Sequence, residues 1–275
     1  MKLKKMLLGT IIGITLYSCI SVVAFANTEE VRVYDVDTET TSITTFSYSG
    51  NETADEELLE PSYGTVGQES ADPEEDADSF ADEKSVIGSD VRTRVNNTTK
   101  VPYRWTAYLE ATWKDGSVTT GTAFMVGINS AVTAAHNVYN TNKGGYATPY
   151  SGSHVKKIYV PKIYKSENQT AYDCAVLKTQ NALGKTTGYF GIRKQAKDYG
   201  SIVVCIPGYP AEYSKQMWKA KGSIAGSSQN LFSYKLSTSA GQSGSPITRV
   251  YYGQWYALGV HTTGAESVNI GTRFG

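Results

Sequence analysis

The apolar positions of this chain fall into short runs. From residue 85 onward these read RWTAYLEATW (104–113), GTAFMVG (121–127), SAVTAAH (130–136), VKKIYVP (155–161), DCAVLKT (173–179), SIVVCIPG (201–208), LFSYKLST (231–238) and WYALGVH (255–261). Each is apolar throughout or alternating, and clusters of Gly, Asn, Ser and Lys separate them. No stretch in this part sustains a helical period. The pattern predicts an all-β sandwich or barrel arrangement.

Ahead of residue 85 the pattern changes twice. Residues 1–26 carry three lysines, then an apolar stretch, then Ala24-Phe25-Ala26. This predicts a secretory signal peptide cleaved after Ala26, with no membrane association afterwards, and hence a secreted protein. Residues 27–84 hold eighteen Asp or Glu against only Arg32 and Lys84, a net charge of −16. The remainder, 85–275, holds 21 Lys or Arg against 8 Asp or Glu, a net charge of +13. The neutral total therefore hides two opposed parts. The acidic part has too little apolar content to build a core and is expected to be disordered. Opposite charge lets it cover the basic part until it is cut away, as a propeptide would; an acidic linker or solubilising tail has the same composition. The basic residues of 85–275 are spread out and no nucleic-acid-binding signature occurs, so no nucleic acid is expected as a partner. No metal-ligand spacing stands out, and neither a metal nor another cofactor is expected.

Three residues could act together. His136 ends a strand run after small residues, Asp173 opens another run whose next four positions are apolar or Cys, and Ser243 sits in GQSGSP (241–246). An acid at the mouth of a buried strand needs a partner, and an imidazole N–H suits it. Serine becomes a nucleophile when a neighbouring base takes its proton and a carboxylate orients that base. Gly241 and Gly244 permit a tight bend that aims the amides of Gly241 and Ser243 at one point, as an oxyanion hole requires.

The segments TAAH (133–136), YDCAVLK (172–178) and SAGQSGSP (239–246) resemble the three signatures of chymotrypsin-fold serine proteases. SVIGSDVRTRVNNTTKVPYR (85–104), LSTSAGQSGSP (236–246) and ALGVHTTG (257–264) further resemble the secreted glutamyl endopeptidases of Gram-positive bacteria. The resemblance implies two six-stranded antiparallel β-barrels, 85–195 carrying His136 and Asp173 and 196–275 carrying Ser243. It implies endopeptidase activity after Glu, with Thr238 and His261 binding the glutamate side chain. It also implies a freed amino terminus, at Ser85 or Val86, that brings positive charge to that pocket. Independently, a neutral or protonated His beside a hydroxyl can hydrogen-bond a carboxylate, and no Asp or Glu lies between Pro246 and Ala265 to favour basic substrates.

Eleven of the fifteen glutamates lie in 27–84, so a Glu-cutting enzyme would spare itself and destroy its propeptide. A cut after Lys84 by a trypsin-like or other activating protease would complete a zymogen's maturation. Expected partners are thus acidic protein or peptide substrates, the propeptide and the activator, with the enzyme a monomer. A narrower specificity, as in the related exfoliative toxins, and a non-catalytic binding module on the same fold are the alternatives. Cys174 and Cys205 could pair or remain as buried thiols. Relatives usually continue into a C-terminal helix beyond where NIGTRFG (269–275) ends this chain.

Overall fold

The computed structural model describes residues 28–47, 56–66, 90–165, 169–195, 202–228, 230–264 and 267–274. The signal segment, Lys84, Ser85 and Val86 lie outside the described residues. The strands are β1 (Thr28–Asp35), β2 (Thr40–Ser47), β3 (Glu56–Leu59), β4 (Thr93–Arg94), β5 (Thr106–Thr112), β6 (Val118–Gly127), β7 (Ser130–Thr133), β8 (Tyr139–Asn140), β9 (Gly145–Tyr146), β10 (Thr148–Tyr150), β11 (Val155–Pro161), β12 (Ala175–Thr179), β13 (Gly191–Gln195), β14 (Val203–Gly208), β15 (Trp218–Ser227), β16 (Leu231–Tyr234), β17 (Pro246–Tyr251), β18 (Gln254–Thr263) and β19 (Asn269–Arg273). Among the described residues a single short α-helix, α1 (Leu183–Thr187), interrupts them.

Two sheets hold nearly all of these strands. The first runs β10-β5-β6-β7-β12-β11 and curls until Tyr150 bridges His154, which brings β10 back towards β11. In the second, β17-β14-β15-β16-β19-β18 closes on itself because β18 also pairs with β17. These are the two six-stranded barrels expected. Leu109, Met125, Ile158, Val160 and Leu177 fill the first, and Val204, Ile206, Phe232, Leu236, Ile247 and Leu258 fill the second. A third cluster joins them, with Trp105, Phe124 and Phe190 meeting Trp255, Val260 and Phe274. The barrels are therefore packed as one body, with apolar burial across the seam as the main cohesive term.

The structure corrects two expectations. β13, placed by sequence at the end of the first barrel, runs parallel to β18 and joins the second sheet. The acidic segment is not disordered throughout, since β1 and β2 form a hairpin on β11, and β3 pairs with β13. It does not build a core of its own; it inserts Val31, Tyr34 and Val36 into cores the barrels already supply. Its acids meet the basic surface, Glu30 with Lys162, Asp37 with Lys156 and Glu39 with Lys114. Cys174, just ahead of β12, and Cys205, on β14, are buried and are not joined in a disulfide.

Candidate active site

The ladder between β7 and β12 brings the first two candidate residues together. Ala175 pairs with Thr133, so the chain just beyond Thr133 and just before Ala175 emerges at the same end of the sheet. His136 lies in a single 3-10 turn there, and Asp173 follows another. The Asp173 carboxylate accepts from the His136 backbone N–H at 2.9 Å and contacts His136 Nδ1 at 2.6 Å. Since a carboxylate only accepts, Nδ1 carries the proton and Nε2 presents its lone pair. Asp173 is 1% exposed and His136 is 19% exposed at the side chain, so the pair opens to solvent only at the imidazole.

Ser243 comes from the other barrel, in the turn before β17. Its carbonyl accepts from Thr122 N at 2.9 Å and from Asn137 Nδ2 at 2.8 Å, both from the first barrel. Thr122 also donates its hydroxyl to Gly241 O and receives Tyr209 N, while Thr133 Oγ1 donates to Thr122 O. This buried polar bridge ties the Ser243 turn to the end of the sheet that carries His136. Gly241 and Gly244 have φ of +87° and +90°. A Cβ on Gly241 would lie 2.5 Å from Tyr209 O, and one on Gly244 would collide with Thr122 O. Only glycine fits both positions. Ala240 O accepts from Ala211 N, which turns the Gly241 N–H to the opposite side of that peptide. Among the described residues the amides of Gly241 and Ser243 are bound to no acceptor. The Ser243 hydroxyl donates to Thr262 O at 3.3 Å.

Beside Ser243 opens a cavity of about 510 Å³ lined by Thr238, Ser239, Ala240, Ser243, His261, Gly264 and Asn269. Among the described residues no lysine, arginine, aspartate or glutamate lines it. Thr238 Oγ1 is buried and, among the described residues, has no hydrogen-bond partner, so it can serve a ligand. His261 is 2% exposed, and its Nδ1 lies 2.6 Å from Tyr234 OH. Burial, with repulsion from His136 adding to it when that imidazole is protonated, pushes its pKa down to about 3. Burial likewise holds the Tyr234 hydroxyl well above its ordinary pKa. The imidazole is thus neutral and the tyrosine protonated, the neutral of the two states in which the sequence allowed His261 to bind a carboxylate. Tyr234 must then donate to Nδ1, leaving the imidazole proton on Nε2. Asn269 donates to Leu236 O at 2.5 Å and lines the cavity beside Gly264.

Beneath the turn, Gln242 is fully buried. Its carbonyl oxygen accepts from Arg92 Nη1 at 2.9 Å and from Ser239 N at 3.0 Å. Arg92 also reaches Ser239 Oγ, Asp90 and Glu212, and Glu212 receives the Ser239 hydroxyl. Its guanidinium, 7% exposed at the side chain, is a fixed cation behind the turn.

Residues 121–258 match the family described as a trypsin-like peptidase domain. The chain belongs to the trypsin-like peptidase family. A glutamyl endopeptidase of Bacillus licheniformis is 34% identical to this trypsin-like peptidase over 212 residues, 69% of this chain and 65% of that protein. A Bacillus subtilis protein named extracellular metalloprotease is 32% identical over 206 residues, 69% of this chain and 66% of that protein. The chain thus spans about two thirds of the length of these relatives. A solved Glu endopeptidase in complex with MPD superposes with a TM-score of 0.59 at 29% identity, covering 69% of this chain and 93% of that one. The crystal structure of protease Anisep from Arthrobacter nicotinovorans shares the fold, with a TM-score of 0.55 at 19% identity, covering 67% and 94%. The name of the B. subtilis relative raises the question of a metal. Among the described residues of this trypsin-like peptidase no three His, Cys, Asp or Glu side chains converge as a metal centre would require.

Sequence reasoning selected His136, Asp173, Ser243, Thr238, His261 and Gly241; the fold pairs His136 with Asp173, places Ser243, Thr238 and His261 on one cavity, and ties Gly241 to Thr122 of the first barrel. It missed Tyr234, Asn269, Thr122, Asn137 and Arg92. Their side chains act through contacts distant in sequence, and no local pattern marks them.

Proposed function

We propose that this chain is a secreted serine endopeptidase that hydrolyses peptide bonds preferentially after Glu. His136 takes the proton of Ser243 as its hydroxyl rotates away from Thr262 O, and Asp173 steadies the imidazolium through the Nδ1 contact. The unoccupied amides of Gly241 and Ser243 receive the oxyanion. Water then takes the place of the leaving peptide, with His136 as its base, and releases the acyl-enzyme.

The observation that carries the specificity is the pocket's donor set: among the described residues, Thr238 Oγ1 without a partner and His261 line it beside Ser243, with no acid among them. A carboxylate accepts from both. Because His261 is neutral and no cation lines the cavity among the described residues, the charge of a glutamate needs compensation from elsewhere. An α-amino group freed by a cut after Lys84 would supply it, with Ser85 and Val86 leading, and the uncut chain is then a zymogen. The 34% identity to a glutamyl endopeptidase supports this reading.

The test is hydrolysis of matched peptides with Glu, Asp, Gln or Lys before the scissile bond, by protein cut after Lys84, beside a Ser243→Ala control. Glu should be cut fastest and the control should be inert. Equal rates for Glu and Lys would refute the specificity, and an active Ser243→Ala would refute the mechanism.

A further inference from the structure

The acidic segment is docked at two places, and neither is the pocket. β1 lies along β11 in antiparallel register, Val31 opposite Pro161 through Asp35 opposite Lys157. Beyond the ladder, Val36 N donates to Lys156 O and Lys162 N donates to Glu30 O. The strand is wedged between two cores. Val31 and Val33 face the cluster that joins the barrels, whereas Tyr34 and Val36 face the interior of the first barrel. Tyr34 stacks on Tyr146 with ring centres 4.4 Å apart and planes 3° from parallel. Arg32, half-buried, lies over the Tyr139 ring and donates to the Tyr164 carbonyl.

The second anchor is 56–66. β3 pairs with β13 of the second sheet, and Ser62 exchanges both backbone hydrogen bonds with Tyr189. Thr65 N and Val66 N donate to the carbonyls of Lys185 and Thr186 in α1, and Arg104 donates to Tyr63 O. Tyr63 packs on Trp105, and Tyr256 OH reaches Glu60. Gly64 and Gly188 sit at close backbone approaches: a Cβ on Gly64 would lie 2.5 Å from Gly188 N, and one on Gly188 would lie 2.8 Å from Tyr63 C. The segment is fitted to the body, one anchor on each barrel.

Removing it would strip the paired edge of β11 over 157–161 and uncover the faces against which Tyr34, Val31 and Leu59 pack. A bare strand edge beside apolar surface is a liability that proteins keep covered. Among the described residues, none of the contacts made by 28–47 and 56–66 involves Thr238, Ser239, Ala240, Ser243, His261, Gly264 or Asn269.

We propose that residues 28–66 remain bound after the chain is cut near Lys84, as a second, non-covalently held chain that completes both sheets, so that maturation nicks the protein rather than discarding the segment. This rests on the reading of a maturation cut near Lys84. The bond between the parts is the β11 and β13 ladders, the Tyr34, Val31 and Tyr63 contacts, and the acid–base pairs on the surface.

The experiment uses the full chain bearing Ser243→Ala, with a site-specific protease sequence inserted after Lys84, cut to completion and passed over a sizing column at about 10 µM. A Kd below about 0.1 µM is expected, so that roughly nine-tenths of the fragment co-elutes and native mass spectrometry gives the summed mass. In the same experiment, Val31→Asp with Tyr34→Asp should raise the Kd at least about a hundredfold, so that more than half of the fragment elutes free. Separation of the unmodified parts with the larger one still folded by circular dichroism overturns the proposal, and so does a double variant that holds the fragment as tightly as the parent. The readout needs no catalysis. A failure of the glutamate-specific reading, seen as absent peptide cleavage, would leave co-elution to be scored on its own.

Discussion

Replacing Tyr234 by Phe removes one oxygen and keeps the ring that packs in the second barrel. That oxygen makes the 2.6 Å contact which fixes the imidazole proton of His261 on Nε2. Without it, Nδ1 is a buried nitrogen with its tautomer unpinned. The loss of a buried hydrogen bond with one partner left unsatisfied is about 1–3 kcal/mol, or roughly 5- to 150-fold in an equilibrium. The two candidate side chains respond differently. A glutamate carboxylate only accepts and needs the Nε2–H tautomer, whereas a glutamine amide rotates to meet either one. The kcat/KM for a Glu peptide should fall within that range, mostly through KM, and the Gln peptide should lose at least fivefold less. Thermal unfolding of the variant checks that the barrel survives. Equal losses on Glu and Gln, or an unchanged ratio, would refute the tautomer argument.

Gly244→Ala, made on Ser243→Ala to prevent self-digestion, should lower stability by at least about 2 kcal/mol in a urea titration, because the new methyl meets Thr122 O at a left-handed φ. Thr122→Val leaves Gly241 O and Tyr209 N unpaired across the seam, and should cost about 1–3 kcal/mol of stability and at least tenfold in kcat; parental stability and kcat would argue that the bridge is idle. The pKa of His261 falls from 6.5 unfolded to about 3 folded, so between these values the unfolded chain binds the extra proton. Stability therefore rises with pH across that window, by at most about 1.4 kcal/mol per pH unit from this group. His261→Gln should flatten the slope in denaturant titrations from pH 4 to 6, and an unchanged slope would mean that other groups set it.

Each of the eight apolar runs read from the sequence became a strand, from RWTAYLEATW at β5 to WYALGVH at β18. The strands that escaped notice have mixed patterns. WKAKGSIAGS (β15) carries two lysines and two glycines, and NIGTR (β19) is half polar. In β1 the alternation of VRVYDV is plain in hindsight, yet it was outweighed by the acidity of the segment around it. Net charge describes whether a segment can make its own core, and says nothing of whether it can borrow one. His136, Asp173 and Ser243 were legible because few residue types do their chemistry and each stands at the end of an apolar run. Thr122 and Gly241 are 119 residues apart, and a threonine hydroxyl has too many uses for its partner to be read from a window. Tyr234 looked like one more strand aromatic, since only the fold reveals which nitrogen its hydroxyl meets.

The clamp on Gln242 bears on timing. Arg92 already holds Gln242 and Ser239 in the intact chain, and Glu212 locks the arginine from the far side. The turn under Ser243 thus stands cocked before any bond is broken, like a spring set at manufacture instead of at first use. Where a buried ion pair must form to order such a turn, activation is a folding event with its own barrier and heat. Here Arg92 already orders the turn in the uncut chain, and on the proposed maturation a cut after Lys84 would act through the electrostatic potential of a pocket whose described walls are in place.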